Sequence, residues 1–194
     1  MGDAAQRIRM TPAEYLAFER SAETKHEYAD GEIFAMAGAK RGHNLIVTNV
    51  TAELRQALRD RPCEVYPSDM RVHIASAERY VYPDVSVVCG EPIFLDDTED
   101  TLENPMVLVE VTSDSTEGYD RGDKFAKYRT VRSVVDYVIV SHHSAAIDHY
   151  TRMADGSWRL LSYGPGERFT LSSCQVELSV DEVYLKVFPV DEAS

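Results

Sequence analysis

The stretch Pro105-Met106-Val107-Leu108-Val109-Glu110-Val111-Thr112 reads as a strand that is apolar on both faces except for one carboxylate. Continuous apolar runs of this length mark strands covered on both sides, as in parallel sheets flanked by other layers. A carboxylate inside such a run is costly unless a partner offsets it, so Glu110 is read as a functional residue. Downstream, Thr112-Ser113-Asp114-Ser115-Thr116 is rich in helix-capping side chains and leads into a helix from about Glu117 to Thr130, followed by a strand at Val134 to Val140. Strand, helix, strand implies a right-handed crossover and parallel pairing of the two strands. On that helix Asp120, Lys124 and Tyr128 recur at i, i+4 and i+8 and share one face. Upstream, Pro83-Asp84 ends an aromatic strand. Two acids and a lysine from three elements suit a divalent metal and a water.

Composition limits what such a site can serve. The 194 residues are 44% hydrophobic and 27% charged, enough for one sizeable core. Thirty-three acidic against twenty basic residues give a net charge of −13, which excludes a protein that coats nucleic acid through bulk charge. Any polyanion must meet a local basic patch, and Lys40, Arg41, Arg121, Lys124, Lys127 and Arg129 are its candidates. Cys63, Cys89 and Cys174 are odd in number and widely spaced, which reads as reduced core thiols and not as a disulfide frame or a zinc site. Met1 to Arg9 has no apolar signal core, and no run of about 18 apolar residues occurs, so the expectation is a soluble, cytoplasmic protein without a membrane segment.

Working outward, Thr11-Pro12-Ala13-Glu14 opens a helix with a capping box and ends near Ser21. Asp30-Gly31 is a hairpin turn between Glu27-Tyr28 and Ile33 to Met36. From Gly42 to about Arg59, Ile46, Val47, Val50, Leu54 and Leu58 recur at helical spacing, with His43 on the same inward face. Two strands follow, about Glu64 to Ile74 and Tyr80 to Cys89, joined through Ala75 to Arg79. Unbroken alternation along them sets Asp69 nearly opposite Asp84, beside Arg71. Gly90 to Asn104 reads as an acidic surface loop. After the crossover come a hairpin (Ala145 to Thr151, turn Asp155-Gly156, Trp158 to Tyr163) and a last helix near Val180 to Val187.

The phrases Lys25-His-Glu-Tyr-Ala-Asp-Gly-Glu32, Gly42-His43-Asn44, Tyr66-Pro-Ser-Asp69-Met-Arg71, Tyr82-Pro83-Asp84-Val85-Ser86, Val109-Glu110-Val111 and Asp120-Arg-Gly-Asp-Lys124-Phe-Ala-Lys-Tyr128 together resemble the bacterial Uma-type restriction endonuclease family, within the PD-(D/E)XK restriction-endonuclease-like fold. The resemblance covers roughly Thr11 to Glu182. It implies an α/β, strictly mixed α+β, fold: a restriction-endonuclease-like core with a mixed central sheet flanked by helices and extra C-terminal hairpins. One such domain spans 11–188, with flexible ends at 1–10 and 189–194.

The same resemblance implies metal-dependent hydrolysis of a phosphodiester, most directly by a DNA endonuclease leaving a 5′-phosphate. Asp84 matches the Asp of the Pro-Asp element and Glu110 the acidic member of the (D/E)XK element; both, with the Val111 carbonyl, would hold Mg²⁺ or Mn²⁺. The lysine expected two residues after the acid is replaced by Thr112, so Lys124 on the following helix would supply the amine. His43 would touch the phosphate or support a carboxylate. Glu32, Glu27, Asp69, Arg71 and Tyr128 complete the candidates, with Glu32 preferred over Glu27. A homodimer follows by analogy with nucleases that cut two strands. The competing readings are plain: Lys124 pairs with Asp120 on a solvated helix face, Asp69 with Arg71 in an ion pair, and His142-His143 belongs to a loop. Thr112 also leaves open a nuclease-fold binding or regulatory module without catalysis.

Overall fold

In the computed structural model, which describes residues 9–113, 118 and 120–189, β8 (Val107–Val111) lies parallel to β9 (Asp136–Val140), with Glu110 beside Ile139. Every residue of both strands is buried, which is why the run carries no polar alternation. The pair sits inside a six-stranded sheet ordered β11-β10-β9-β8-β6-β3, where β3 is Cys63–Pro67, β6 Val85–Cys89, β10 Ile147–Arg152 and β11 Trp158–Tyr163. Its other pairings are antiparallel.

A second sheet, ordered β2-β1-β5-β4-β7, comprises β1 (His26–Ala29), β2 (Glu32–Ala35), β4 (Arg71–Ile74), β5 (Arg79–Val81) and β7 (Thr101–Leu102). The turn between β1 and β2 needs positive φ at two successive positions, and Asp30 (53°) and Gly31 (87°) supply it. The architecture is mixed α+β, as expected.

Three apolar interfaces stack these parts. Helix α2 (Arg41–Leu58) lays Ile46, Val50, Leu54 and Leu58 on the Val85, Val87, Val107 and Val109 face of the larger sheet, and the hairpin of β12 (Arg168–Leu171) and β13 (Val176–Ser179) closes that side with Phe169, Leu171, Val176 and Leu178. The opposite face, with Val88, Leu108, Tyr137 and Ile139, meets Val72, Ile74, Val81 and Leu102 of the second sheet and Tyr128 of the crossover. Behind the second sheet, Tyr15 of α1 (Pro12–Glu19) packs on Tyr28 and Tyr80, with ring centroids 5.1 and 5.3 Å apart. The order is helix, sheet, sheet, helix, and the Glu110 side chain faces the gap between the sheets.

Several expectations from sequence are corrected. The stretch from Glu64 to Ile74 is two strands in different sheets, separated by a turn, and Tyr80 to Cys89 divides likewise at Tyr82-Pro83-Asp84. Alternation cannot be carried across either break, so Asp69 does not oppose Asp84. The acidic loop from Gly90 to Asn104 contains β7 and is pinned by Arg20 and Arg71 on Asp100. The last helix is only the turn Val180–Val183. Cys63 and Cys89, register partners on β3 and β6, form a disulfide, and Cys174 alone is a buried thiol. Strand pairing brings together residues 26 apart in sequence, and the thiol argument for a cytoplasmic location falls away with it.

Near the N-terminus, Arg9 bridges to Glu32 and the Met10 N–H donates to the Gly31 carbonyl, so residues 9 and 10 belong to the folded part. The capping run Asp114 to Thr116, the helix start at Glu117 and the tail from 190 onward lie outside the described residues. None of the described helices is long and apolar enough to cross a membrane.

One buried polar cluster fixes the C-terminal hairpin. Asp136, fully buried, meets His149 Nε2 at 2.8 Å and accepts from the Ser173 N–H (2.8 Å), the Ser173 hydroxyl (2.6 Å) and the Ser172 N–H (3.1 Å). Burial alone would raise this carboxyl, but the hydrogen bonds from His149 and Ser173 outweigh it and hold it below the ordinary aspartate range. Its stabilisation is therefore present above the unfolded value of about 3.9 and is lost as pH falls below it. Asp136→Ala strands several buried donors and is expected to lower stability by about 3 kcal/mol in urea unfolding at neutral pH.

Candidate active site

The β6–β8 register pairs Val85 with Val109, so the next positions set Asp84 opposite Glu110. Asp84 stands just before β6, where the chain passes between the sheets. Its Oδ2 accepts the Val111 N–H at 2.8 Å, and its Oδ1 meets His43 Nε2 at 2.9 Å. His43 lies in the first turn of α2, on the helix face that also carries Ile46 and Val50. Of the two contacts expected for it, the geometry shows the one to a carboxylate.

The third element is the crossover. A five-residue π-helical turn, Asp120–Lys124, runs into the helical turn Phe125–Tyr128, and Asp120, Lys124 and Tyr128 are all buried. Such wide turns recur at functional sites because they re-aim side chains along a helix. Lys124 Nζ lies 2.8 Å from Glu110 Oε1, 3.7 Å from Glu27 and 3.8 Å from Asp120. The Tyr128 hydroxyl donates to the same Oε1 at 2.7 Å. Among the described residues, Glu110 Oε2 receives no hydrogen bond. The solvated Lys124–Asp120 pair considered from sequence is replaced by a buried ammonium among three carboxylates.

The electrostatics follow from that crowding. Burial pushes Glu110 up to about 8; Lys124 pulls the other way, while Asp84 and Asp120 add to the rise. Lys124 is held above the ordinary lysine range, because Glu110, Glu27 and Asp120 outweigh the burial that disfavours its charge. Tyr128 is raised far above its usual value by burial and by Glu110. The cluster thus holds more carboxylate than cation, a surplus that a bound cation would relieve.

No three His, Cys, Asp or Glu side chains among the described residues form a metal cage by themselves. The donors present, two carboxylates on neighbouring strands and a main-chain carbonyl at Val111, match a cation such as Mg²⁺ that keeps several waters.

Other candidates take different places. Glu27, on the second sheet, faces Lys124 and accepts the Tyr82 N–H at 3.3 Å, whereas Glu32 lies two pairs further along the hairpin, opposite Ala29. The preference for Glu32 is therefore reversed: both share a strand face, but only Glu27 lies next to β5 where the sheets meet. Asp69 sits on an exposed turn with Lys25 at 2.9 Å, away from Arg71. Arg71 is buried against Asp100 (2.9 Å), Thr101 (2.9 Å) and Tyr82 (3.1 Å). Three residues of the anticipated basic groove are engaged within the fold: Arg41 binds the carbonyls of Lys186 and Val187, Arg121 pairs with Asp148, and Lys124 with Glu110. Thr112, at the position of the missing lysine, is buried and touches His142 Nδ1 at 3.2 Å.

Sequence reasoning missed Glu19, whose carboxylate accepts the Tyr82 hydroxyl (2.9 Å) and the His26 N–H (2.8 Å). Its spacing of four from Tyr15 on α1 was the available signal.

Residues 12–183 match the family Uma2, described as "Putative restriction endonuclease". The chain belongs to the Uma2 family. It is 38% identical over 176 residues to "Uncharacterized protein slr1290" of Synechocystis sp., covering 91% of this chain and 92% of that protein. It is also 38% identical over 151 residues to "Uncharacterized protein sll1609" of the same organism, covering 78% and 85% of the two chains. Its fold is similar to that of a crystal structure described as "a putative nuclease belonging to DUF820" from Anabaena variabilis, with a TM-score of 0.74, 14% identity and coverage of 92% of this chain and 99% of that one. For this Uma2 chain, as for that structure, the shared property is the fold.

The raised Glu110 carries a stability signature. With a folded value of about 8 against an ordinary 4.5, its contribution is full below the ordinary value, drains away as pH rises, and is gone above the folded one. Metal-free protein is expected to lose stability to urea across that interval, and Glu110→Gln, which cannot ionise, to flatten the loss.

Proposed function

We propose that this Uma2 chain is a Mg²⁺- or Mn²⁺-dependent nuclease that hydrolyses phosphodiester bonds, with DNA cut internally as its substrate. The observation that carries the reading is the 2.8 Å contact between Lys124 Nζ and Glu110, with Asp84 at the facing position of the neighbouring strand. A buried ion pair kept only for stability gains little over packed apolar side chains, whereas an acid, an acid and an amine converging at a strand end form a reaction centre.

Asp84, Glu110 and the Val111 carbonyl would hold the cation. When bound, the cation would offset charge on the phosphoryl oxygens and lower the pKa of a coordinated water. His43 holds Asp84 by one oxygen and the Val111 N–H holds the other, so the carboxylate is fixed in rotation. Tyr128 and Lys124 both grip Glu110 Oε1, which leaves Oε2 directed elsewhere for a ligand. Lys124, kept protonated by its acidic neighbours, orients the attacking water and stabilises the charge that develops on the phosphoryl group. Glu27 and Asp120 limit where its ammonium can move.

Thr112 in place of the usual lysine favours a second reading, a nuclease-fold module that binds without cutting. Against it stands the amine itself, delivered to Glu110 from another element.

Supercoiled plasmid incubated with Mg²⁺ or Mn²⁺ decides between them. Nicking is expected from the native protein and to fall at least about 100-fold in Asp84→Ala, Glu110→Ala and Lys124→Ala. Retardation of DNA without metal-dependent nicking would establish the module instead.

A further inference from the structure

Among the described residues, one strand face of the second sheet is left outside the core beside the candidate site. On β4 and β5 the inner face, with Val72, Ile74 and Val81, is covered by the six-stranded sheet. On β1 and β2 the same face carries Glu27 paired with Phe34 and Ala29 paired with Glu32, and none of these four joins that core. The opposite face holds Tyr28 and Ile33 against Tyr15. The open side is a groove of about 460 Å³ whose walls include Glu27, Glu32, Phe34 and Arg79. Phe34 is 51% exposed, although it belongs to a paired strand. Glu27 lines the groove and lies 3.7 Å from Lys124, so one side chain borders both the groove and the candidate site.

We infer that this groove receives an unpaired nucleobase of the substrate strand, stacked on Phe34. The inference rests on the nuclease reading for the identity of the strand. An aromatic ring presented on a sheet surface is the recurring platform on which single-stranded bases stack, because each base offers a π-face. The groove carries no excess of cation to hold a phosphate. Its acids Glu27, Asp30 and Glu32 outnumber the arginines Arg9 and Arg79, and Arg79 is bound to Asp30 at 2.8 Å. Carboxylates repel a phosphodiester but accept hydrogen bonds from exocyclic amino groups and ring N–H donors. The volume suits a small flat group and is too small for a duplex. A strand whose phosphate lies at Glu110 and Lys124 would place a neighbouring base across Glu27, and the substrate is then a single strand or a duplex with an extruded base.

The test is binding without metal. A short labelled oligonucleotide carrying 2-aminopurine, single-stranded and as a duplex, is titrated with the native protein, Phe34→Ala and Phe34→Trp. Phe34→Ala is expected to weaken single-strand binding about tenfold or more and to leave 2-aminopurine bright, with duplex binding changed by less than about twofold. Phe34→Trp should keep the affinity and quench the probe, and decides the matter if the alanine protein does not fold. Single-strand binding and quenching equal to native in folded Phe34→Ala, or an unquenched probe on Phe34→Trp, overturns the inference. Plasmid nicking run in parallel separates the two proposals. Nicking with no effect of Phe34 on binding defeats the base site alone; a base held by Phe34 with no metal-dependent nicking defeats the nuclease reading and leaves the site standing.

Discussion

A carboxylate and an ammonium buried against each other in the gap between two sheets set the terms for the rest of this molecule. Lys124 could not stay charged there without its acidic neighbours, since an unpaired ion in such surroundings costs several kcal/mol, of order 3–5 for a broken buried pair. Its contact with Glu110 fixes where the crossover must end relative to β8, and therefore which face of the crossover turns inward. Tyr128 donates to Glu110 from the side of the core, and Asp84 stands opposite Glu110 just before the neighbouring strand. The arrangement ties folding to the proposed chemistry: the residues that are costly to bury are those proposed to carry it.

Much of this was legible in the chain because burial on both faces leaves a plain mark. A valine-rich run interrupted by one acid announces both a covered strand and a residue out of place. The spacing of Asp120, Lys124 and Tyr128 announces the face that answers it. Parallel pairing of β8 with β9 followed from connectivity, since a helix between two strands of one sheet leaves little choice of hand. Asp30-Gly31 and Asp155-Gly156 declared their hairpins through the backbone conformation they require.

What was hidden is long-range. Alternation carried from Asp69 through Arg71 failed because the chain changes sheets at Ser68 to Met70, and a face assignment does not survive a turn. Glu27 and Glu32 have the same parity on the hairpin, so their faces could not separate them; proximity to β5 did. Cys63 and Cys89 carry no mutual signal, and only the register of β3 on β6 joins them. Arg41, Arg121 and Lys124, three of the six basic residues that were to form a groove, are engaged with carbonyls or acids of the fold, which local sequence does not reveal.

Glu27 belongs to the smaller sheet, while Asp84, Glu110 and Lys124 are carried by the larger one and its crossover. The constellation is thus held across a seam of valines, leucines and tyrosines rather than within one rigid element. A shift at that seam would move Glu27 relative to the other three without breaking a strand ladder in either sheet. The geometry of the cluster therefore depends on how the two sheets pack on each other, and not on the ladders of either one alone.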